Sequence, residues 1–352
     1  MPRTFAGHGR FDNRGVLWHL YCRVVDNFGD IGVAWRLAAD LAGRGERVRL
    51  FVDDASALAW MAPSGAAGVD VRAWLEVIDG ADVVVELFGA GLPAGAEAGL
   101  HINLEHLSAE GYVERSHGLP SPRRAASGKS STAWFFYPGF SDRTGGLIRE
   151  PGLRDLTAAR GAGDERRVSL FSYANAATCG LLDALATKPT LLLVSPGPAA
   201  TQVATLLGPS MTRGRLRAEL LPYLAQPDFD ALLRSCDLAF VRGEDSPVRA
   251  VWAGVPFVWQ LYMQDDGAHA AKLAAFLDRF LSGAGGDSPA IDRSVRDMFL
   301  HWNGVTGVAA PWTAFEPTVL AAWRSHCVAW RQALARQPDL TTQLIAFANS
   351  KR

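Results

Sequence analysis

The apolar, β-branched run Leu17–Val24 gives way to Val25-Asp26-Asn27-Phe28-Gly29-Asp30 and then to Ile31–Leu41, where apolar residues recur at helical spacing. This is a strand that turns directly into a helix. Gly43 and Gly45 end the helix, Val48–Val52 reads as the next strand, and Asp53-Asp54 opens a turn into a short helix at Ser56–Met61. A βαβ unit commits the chain to a parallel sheet covered by helices. Val83–Leu87 and Ile102–Leu104, short apolar runs followed by Gly or polar residues, extend the pattern, so the first half is predicted to be doubly wound.

From Leu107 to Gly163 the texture changes. Pro120, Pro122, Pro138, Pro151 and several Gly pairs interrupt the aromatic run Trp134-Phe135-Phe136-Tyr137, which predicts loops and a hinge without a long helix. A second βα series starts at Val168–Ser172, with strands at Leu191–Val194 and Leu238–Val241 and helices at Thr178–Leu185 and Asp230–Ser235. The tail Trp312–Lys351 reads as helical, broken near Pro338. The expected division is an N-terminal extension (1–15), a first Rossmann-like domain (16–164), a second (165–335) and a C-terminal helix (336–352) that packs back on the first.

A length of 352 residues fits two such domains, and 49% hydrophobic with 20% charged residues is globular composition rather than disorder. Lys plus Arg total 35 against 36 Asp plus Glu, so no global field favours nucleic acid or anionic lipid, and neither is an expected partner. Only Lys129, Lys188, Lys272 and Lys351 are lysines, a bias without functional weight. Cys22, Cys179, Cys236 and Cys327 are scattered singly, without the spacing of a zinc or iron–sulfur site, which suits reduced thiols in a cytoplasmic protein. Met1–Gly15 carries Arg3, Arg10 and Arg14 but no apolar core of a signal peptide, and no apolar run reaches the roughly 18 residues that span a bilayer.

Two loops carry chemistry. Asp26-Asn27-Phe28-Gly29-Asp30 lies where the first strand meets its helix, at the sheet edge where open α/β proteins bind ligands. Its carboxylates would repel a phosphate, and its glycines do not fit G-x-G-x-x-G, so it suits a polar acceptor or a proton transfer better than a dinucleotide. The bland alternative makes Asp30 a helix cap and Asp26 an Asx turn. Arg242-Gly243-Glu244-Asp245-Ser246-Pro247 follows another strand and precedes a helix at Val248–Ala253. Arg242 can fork onto a phosphate, Ser246 and helix-start N–H groups can take further oxygens, and Glu244 can accept from sugar hydroxyls. Here the bland reading is a Ser246 N-cap with Pro247 at the first helical position, which leaves Arg242 unexplained. The paired aspartates Asp53-Asp54 and Asp265-Asp266 read as turn formers, and the histidines show no metal-ligand spacing, so no metal is expected.

The blocks V-V-D-N-F-G-D-I-G-V-A-W-R-L-A (Val24–Ala38), F-S-Y-A-N (Phe171–Asn175), Q-P-D-F-D-A-L-L (Gln226–Leu233) and F-V-R-G-E-D-S (Phe240–Ser246) occur in that order. The P-F-V-W-Q block at Pro256–Gln260, with Gln264 and His269, adds to them; Met263 stands where Pro is expected before the Gln. With these blocks the chain closely resembles the EarP family, the protein-arginine rhamnosyltransferases of bacterial translation elongation factor P. The resemblance implies an α/β fold of GT-B type, two Rossmann-like domains facing a central cleft, with dTDP-β-L-rhamnose as donor and one arginine of elongation factor P as acceptor. It implies catalytic roles for Asp26, Asp30 (the base) and Glu244, and donor binding by Asn27, Phe28, Gly29, Tyr173, Gln226, Phe229, Arg242, Gly243, Asp245 and Ser246. Phe229 would stack on the thymine. No cofactor is expected, because Arg242 and helix N–H groups can neutralise the leaving diphosphate.

Two carboxylates answer a definite chemical problem. A guanidinium with a pKa near 13.8 costs roughly 9 kcal/mol to neutralise at about pH 7. A pair that orients the fork and takes a proton only as the C–N bond forms lowers that barrier. Attack opposite the departing dTDP inverts the β-linked donor to an α-linked product. A GT-B enzyme acting on a small-molecule or lipid-linked acceptor would share the donor loops but would need one base rather than a pair. A nucleotide-sugar sensor would bind without turnover.

Overall fold

The computed structural model describes residues 15–25, 28–76, 78, 80–96, 98–124, 130–153, 164–262, 268–282, 289–305 and 312–352. Most of the expected N-terminal extension, residues 1–14, and residues 154–163 of the expected hinge lie outside them. The chain divides into two compact units: the first takes residues up to Leu107 with Tyr112–Glu150 and Pro338–Arg352, the second Ser108–Gly111 and Pro151–Gln337.

The first stretch runs Leu17–Cys22 (β1), Gly29–Gly43 (α1), Arg47–Val52 (β2), Leu58–Met61 (α2), Val69–Ala73 (β3), Ala81–Leu87 (β4), Ala98–Leu104 (β5), Gly111–Ser116 (α3), Pro120–Arg124 (β6) and Ser130–Phe136 (β7). The strands form one sheet in the order β3-β2-β1-β4-β5-β7-β6, parallel except for the β6–β7 pair. β1 is buried along its whole length, which is why it reads as continuous apolar sequence rather than alternation. Period two still divides its side chains. Trp18, Leu20 and Cys22 enter the core shared with Ile31, Leu37 and Leu41 of α1, while Tyr21 stacks on Phe51 at 4.5 Å on the opposite face, beside Trp74 and Val84.

The aromatic run expected to be loop is strand. Trp134 and Phe136 lie two residues apart on β7 and turn the same face toward Phe347, at 5.8 and 5.7 Å between ring centroids. Aromatic residues favour pleated, half-buried surfaces, and Pro120 and Pro122 are tolerated because β6 is an edge strand whose outer N–H groups need no ladder partner. The prolines therefore mark an edge strand rather than the absence of one.

The second stretch runs Arg166–Leu170 (β8), Thr178–Leu185 (α4), Thr190–Val194 (β9), Pro198–Leu207 (α5), Thr212–Arg213 (β10), Leu216–Leu220 (β11), Gln226–Ser235 (α6), Leu238–Arg242 (β12), Asp245–Ala253 (α7), Phe257–Gln260 (β13), Ala268–Ser282 (α8), Pro289–Trp302 (α9) and Pro317–Ala335 (α10), the last preceded by a 3-10 turn at Trp312–Phe315. Its sheet has the order β10-β11-β9-β8-β12-β13, with only β10–β11 antiparallel. Leu340–Lys351 (α11) closes the chain and belongs to the first unit, where Leu340 N donates to Leu147 O at 2.9 Å and Lys351 Nζ lies 3.6 Å from the centre of the Trp134 ring.

The two sheets share one logic. Each grows outward from a first strand in one direction and then jumps back to grow in the other, so the order reverses between β1 and β4 in the first unit and between β8 and β12 in the second. Loops leaving adjacent strands at such a point diverge to opposite faces and leave a crevice at the carboxyl edge.

Candidate active site

In the first unit the loop after β1 sits at the reversal point. Asp26 and Asn27 lie outside the described residues. Phe28 is the N-cap of α1, without a side-chain cap bond, and its ring meets Trp60 edge-on at 5.0 Å. Asp30, in the first turn, is therefore not the cap that the bland reading makes it. It is 4% exposed, and its Oδ2 accepts from the N–H of Val25 at 2.9 Å, which ties the carboxylate back across the loop. Asp53 stands at the neighbouring strand end and accepts from Val24 N–H at 2.9 Å and Asp54 N–H at 3.0 Å. Burial, and after it the charges of Asp30 and Asp53, pushes the Cys22 thiol upward, so this sulfur stays protonated beside the two carboxylates. An acidic corner results, suited to a cation and hostile to a phosphate.

In the second unit the loops after β8 and β12 flank the other reversal point. Arg242 ends β12, is 4% exposed, and its guanidinium lies 4.6 Å from the centre of the Phe171 ring and 4.4 Å from that of Tyr173. Phe171 and Tyr173 are two residues apart in the loop after β8, and both rings reach the same cation. Tyr173 is fixed further by its N–H donating to Gln260 Oε1 at 2.9 Å and by an edge contact with Tyr262 at 5.7 Å. Phe229, half-buried on α6, packs edge-on against Phe171 at 5.7 Å, and Gln226 is a buried first residue of the same helix. Sequence-distant residues thus gather: Tyr173, Phe229 and Arg242 meet around Phe171, with Phe171 and Gln260 as members not anticipated, and Gln226 starts the helix that carries Phe229.

The β12–α7 turn departs from expectation in one respect. The helix starts at Asp245 rather than Val248, with Glu244 as N-cap, so Ser246 is not the cap and Pro247 sits at the third helical position. Pro is still tolerated there because the first-turn N–H groups lack intrahelical partners. The Ser246 hydroxyl donates to Arg242 O at 2.6 Å and accepts from Arg242 N–H at 3.0 Å. Its single proton is committed to holding the backbone of Arg242. Gly243 has φ +70°, a conformation that favours glycine, and its carbonyl accepts from Trp259 Nε1 at 2.9 Å. Glu244 is paired with Lys272 on α8 at 2.9 Å. Asp230 and Arg249 form a buried two-pronged pair at 2.9 and 2.6 Å that pins α6, which carries Phe229, to α7, which follows the Arg242 turn.

His269 is half-buried at the start of α8, whereas Met263, Gln264, Asp265 and Asp266 lie outside the described residues. Among the described residues, no three His, Cys, Asp or Glu side chains gather as metal ligands, and no helix is long and apolar enough to cross a membrane.

A family model described as elongation-factor P (EF-P) rhamnosyltransferase EarP matches residues 18–349. The protein-arginine rhamnosyltransferase of Pseudomonas aeruginosa is 39% identical over 376 aligned positions, covering 94% of this chain and 98% of that protein. Its counterpart in Pseudomonas putida is 40% identical over 380 positions, again with 94% and 98% coverage. Among solved structures, one of EarP, which mediates arginine glycosylation of translation elongation factor EF-P, aligns with a TM-score of 0.67 at 32% identity over 95% of this chain and 99% of that one. The glycosyltransferase SnogD from Streptomyces nogalater aligns with a TM-score of 0.56 at 16% identity over 95% and 100%, a likeness of fold alone. Agreement across nearly the whole chain, in sequence and in structure, makes this chain a member of the EarP family and a glycosyltransferase of GT-B fold.

Proposed function

We propose that this enzyme moves L-rhamnose from dTDP-β-L-rhamnose to one arginine side chain of translation elongation factor P, with inversion, giving an α-rhamnosyl-arginine. The observation that carries the reading is the division of charge between the two units: buried Asp30 in an acidic corner on one sheet edge, and Arg242 held between two aromatic rings on the other. A guanidinium suits the first and a nucleoside diphosphate the second.

In this reading Phe229 offers its face to the thymine, and Tyr173, Arg242 and the first-turn N–H groups at Asp245 and Ser246 take the diphosphate. Ser246 serves by fixing Arg242 through its two hydrogen bonds. Asp26 orients the acceptor fork and Asp30 takes the proton as the guanidinium nitrogen bonds to the sugar carbon and the C–O bond to dTDP breaks. Glu244 serves the sugar. Positive charge from Arg242 and the α7 start meets the leaving diphosphate, so the reaction proceeds without a metal or other cofactor, in the cytoplasm.

The test is intact-mass analysis of elongation factor P after incubation with the enzyme and dTDP-rhamnose, with and without a chelator. One added deoxyhexose on an arginine, undiminished by chelator, is expected. No mass gain would overturn the acceptor or the donor, and activity lost to chelator and restored by magnesium would overturn the metal-free mechanism.

A further inference from the structure

The β12–α7 turn is braced by Lys272, a residue of α8 outside every motif that carries chemistry in the sequence. Lys272 Nζ on α8 sits 2.9 Å from Glu244 Oε1, with the two side chains at 21% and 13% exposure. The same ammonium lies 5.6 Å from the centre of the Trp259 ring, and Trp259 Nε1 donates to the carbonyl of Gly243, the residue before Glu244. Lys272 therefore contacts the turn twice, directly at the carboxylate and through the indole that fixes the preceding peptide. A partly buried ion pair of this kind holds a side chain in one direction, unlike a solvated pair whose members swing freely.

We infer that Lys272 is a positioning residue, which aims the Glu244 carboxylate and locks the Gly243 turn so that the donor sugar meets them in one geometry. The inference rests on the reading that Glu244 serves the reacting sugar. Lys272 acts through Glu244 and not on the diphosphate, whose cation is Arg242. Misplacement of a reacting or orienting group by about 1 Å costs on the order of 100-fold in rate, so removal of the brace is felt in turnover rather than in donor affinity.

The experiment compares Lys272→Met, Lys272→Gln, Lys272→Arg, Glu244→Gln and the Lys272→Met/Glu244→Gln double variant in rhamnosyl transfer to elongation factor P. Calorimetry with dTDP and thermal melts accompany each. Lys272→Met and Lys272→Gln are expected to lower kcat roughly 10- to 100-fold, with dTDP affinity and donor KM within about twofold of wild type. Lys272→Arg, which keeps the charge, recovers most of the rate. The double variant is no slower than Glu244→Gln alone, because both changes remove one function. Additive losses would place the action of Lys272 elsewhere, and weakened dTDP binding would make it a diphosphate contact; either overturns the proposal, as does wild-type kcat in both neutral variants. An inactive wild type, or Glu244→Gln at full rate, overturns instead the underlying functional reading, and the proposal with it.

Discussion

Replacing Asp30 by Asn separates the charge of this carboxylate from its shape. The side chain is 4% exposed and its Oδ2 accepts from Val25 N–H at 2.9 Å, a contact that an amide oxygen can keep. Stability should therefore change by no more than about 1 kcal/mol. The amide nitrogen of the Asn side chain presents donors where the carboxylate offers only acceptors, and a guanidinium has only donors of its own. The base is lost and the contact turns repulsive. General base catalysis contributes about 10²–10⁴ in rate, or roughly 2.7–5.5 kcal/mol of barrier, and a loss of that order is expected in kcat for transfer. Affinity for dTDP should stay level, since Asp30 itself is expected to serve the acceptor, and the residues proposed to hold the thymine and diphosphate, Phe229, Tyr173 and Arg242, belong to the second unit. Asp30→Ala serves as the contrast: it also removes the acceptor of Val25 N–H, and so loses about 1–3 kcal/mol of stability in addition to activity. Intact mass of the acceptor, calorimetry with dTDP and a thermal melt read the three quantities. Wild-type turnover in Asp30→Asn would refute the base assignment, and Asn as destabilising as Ala would show the residue to be a brace alone.

Arg242→Ala should weaken dTDP and dTDP-rhamnose alike, because the phosphate contact is common to both, and Phe229→Ala should do so by about 1–3 kcal/mol, roughly 5- to 150-fold in Kd, through lost base stacking. Unchanged dTDP affinity in both variants would remove the donor from the second unit. Acid should destabilise the first unit in two steps: burial, aided by Arg49, lowers the His19 pKa to about 4, so its contribution is present above about pH 6.5 and is lost, up to about 3 kcal/mol, as pH falls toward 4. Burial opposes the Glu86 charge, but hydrogen bonds from His101 and Arg123, the Arg123 charge and the Gly91 N–H outweigh it and hold the pKa near 2, so a second loss runs from about pH 4.5 downward. Melting temperatures followed from neutral to acid pH check both, and His19→Gln should flatten the first step; a wild-type curve flat to about pH 4.5 would contradict it.

The elements legible in the sequence are those whose burial is complete. β1, β9 and β12 are buried at every residue, so their sequences are mostly apolar, broken only by His19, Thr190 and Arg242, and their strand character needs no partner to be seen. β3, Val-Asp-Val-Arg-Ala, is half-buried on an edge and carries Asp70 and Arg72 paired to each other, so its pattern is that of a polar loop. β6 and β7 are hidden in the sequence because proline excludes a central strand but not the rim, and the rim is known only once the sheet order is. The helices start at Gln226 and Asp245, earlier than the expected Asp230 and Val248, for a related reason. Pro227 and Pro247 lie in first turns, where a missing N–H does no harm.

At the proposed donor site, what the sequence displays is the residue and what it withholds is the neighbour. Arg242 and Ser246 were visible as an anion-binding pair because both lie in one hexapeptide, yet the hydroxyl turns out to hold the backbone of that arginine. The rings that flank the guanidinium come from the loop after β8, some seventy positions earlier, and the i, i+2 spacing of Phe171 and Tyr173 is the one sign in the sequence that both can reach a common point. Lys272 gave no sign at all, since a lone lysine on an amphipathic helix is indistinguishable from a solvated one until the helix is docked. Chemistry written in contiguous motifs is therefore readable from the chain. The geometry that makes such a motif act in a single direction comes from parallel-sheet crossovers, which bring residues 28 and 70 positions apart to one edge, and it becomes readable only with the fold.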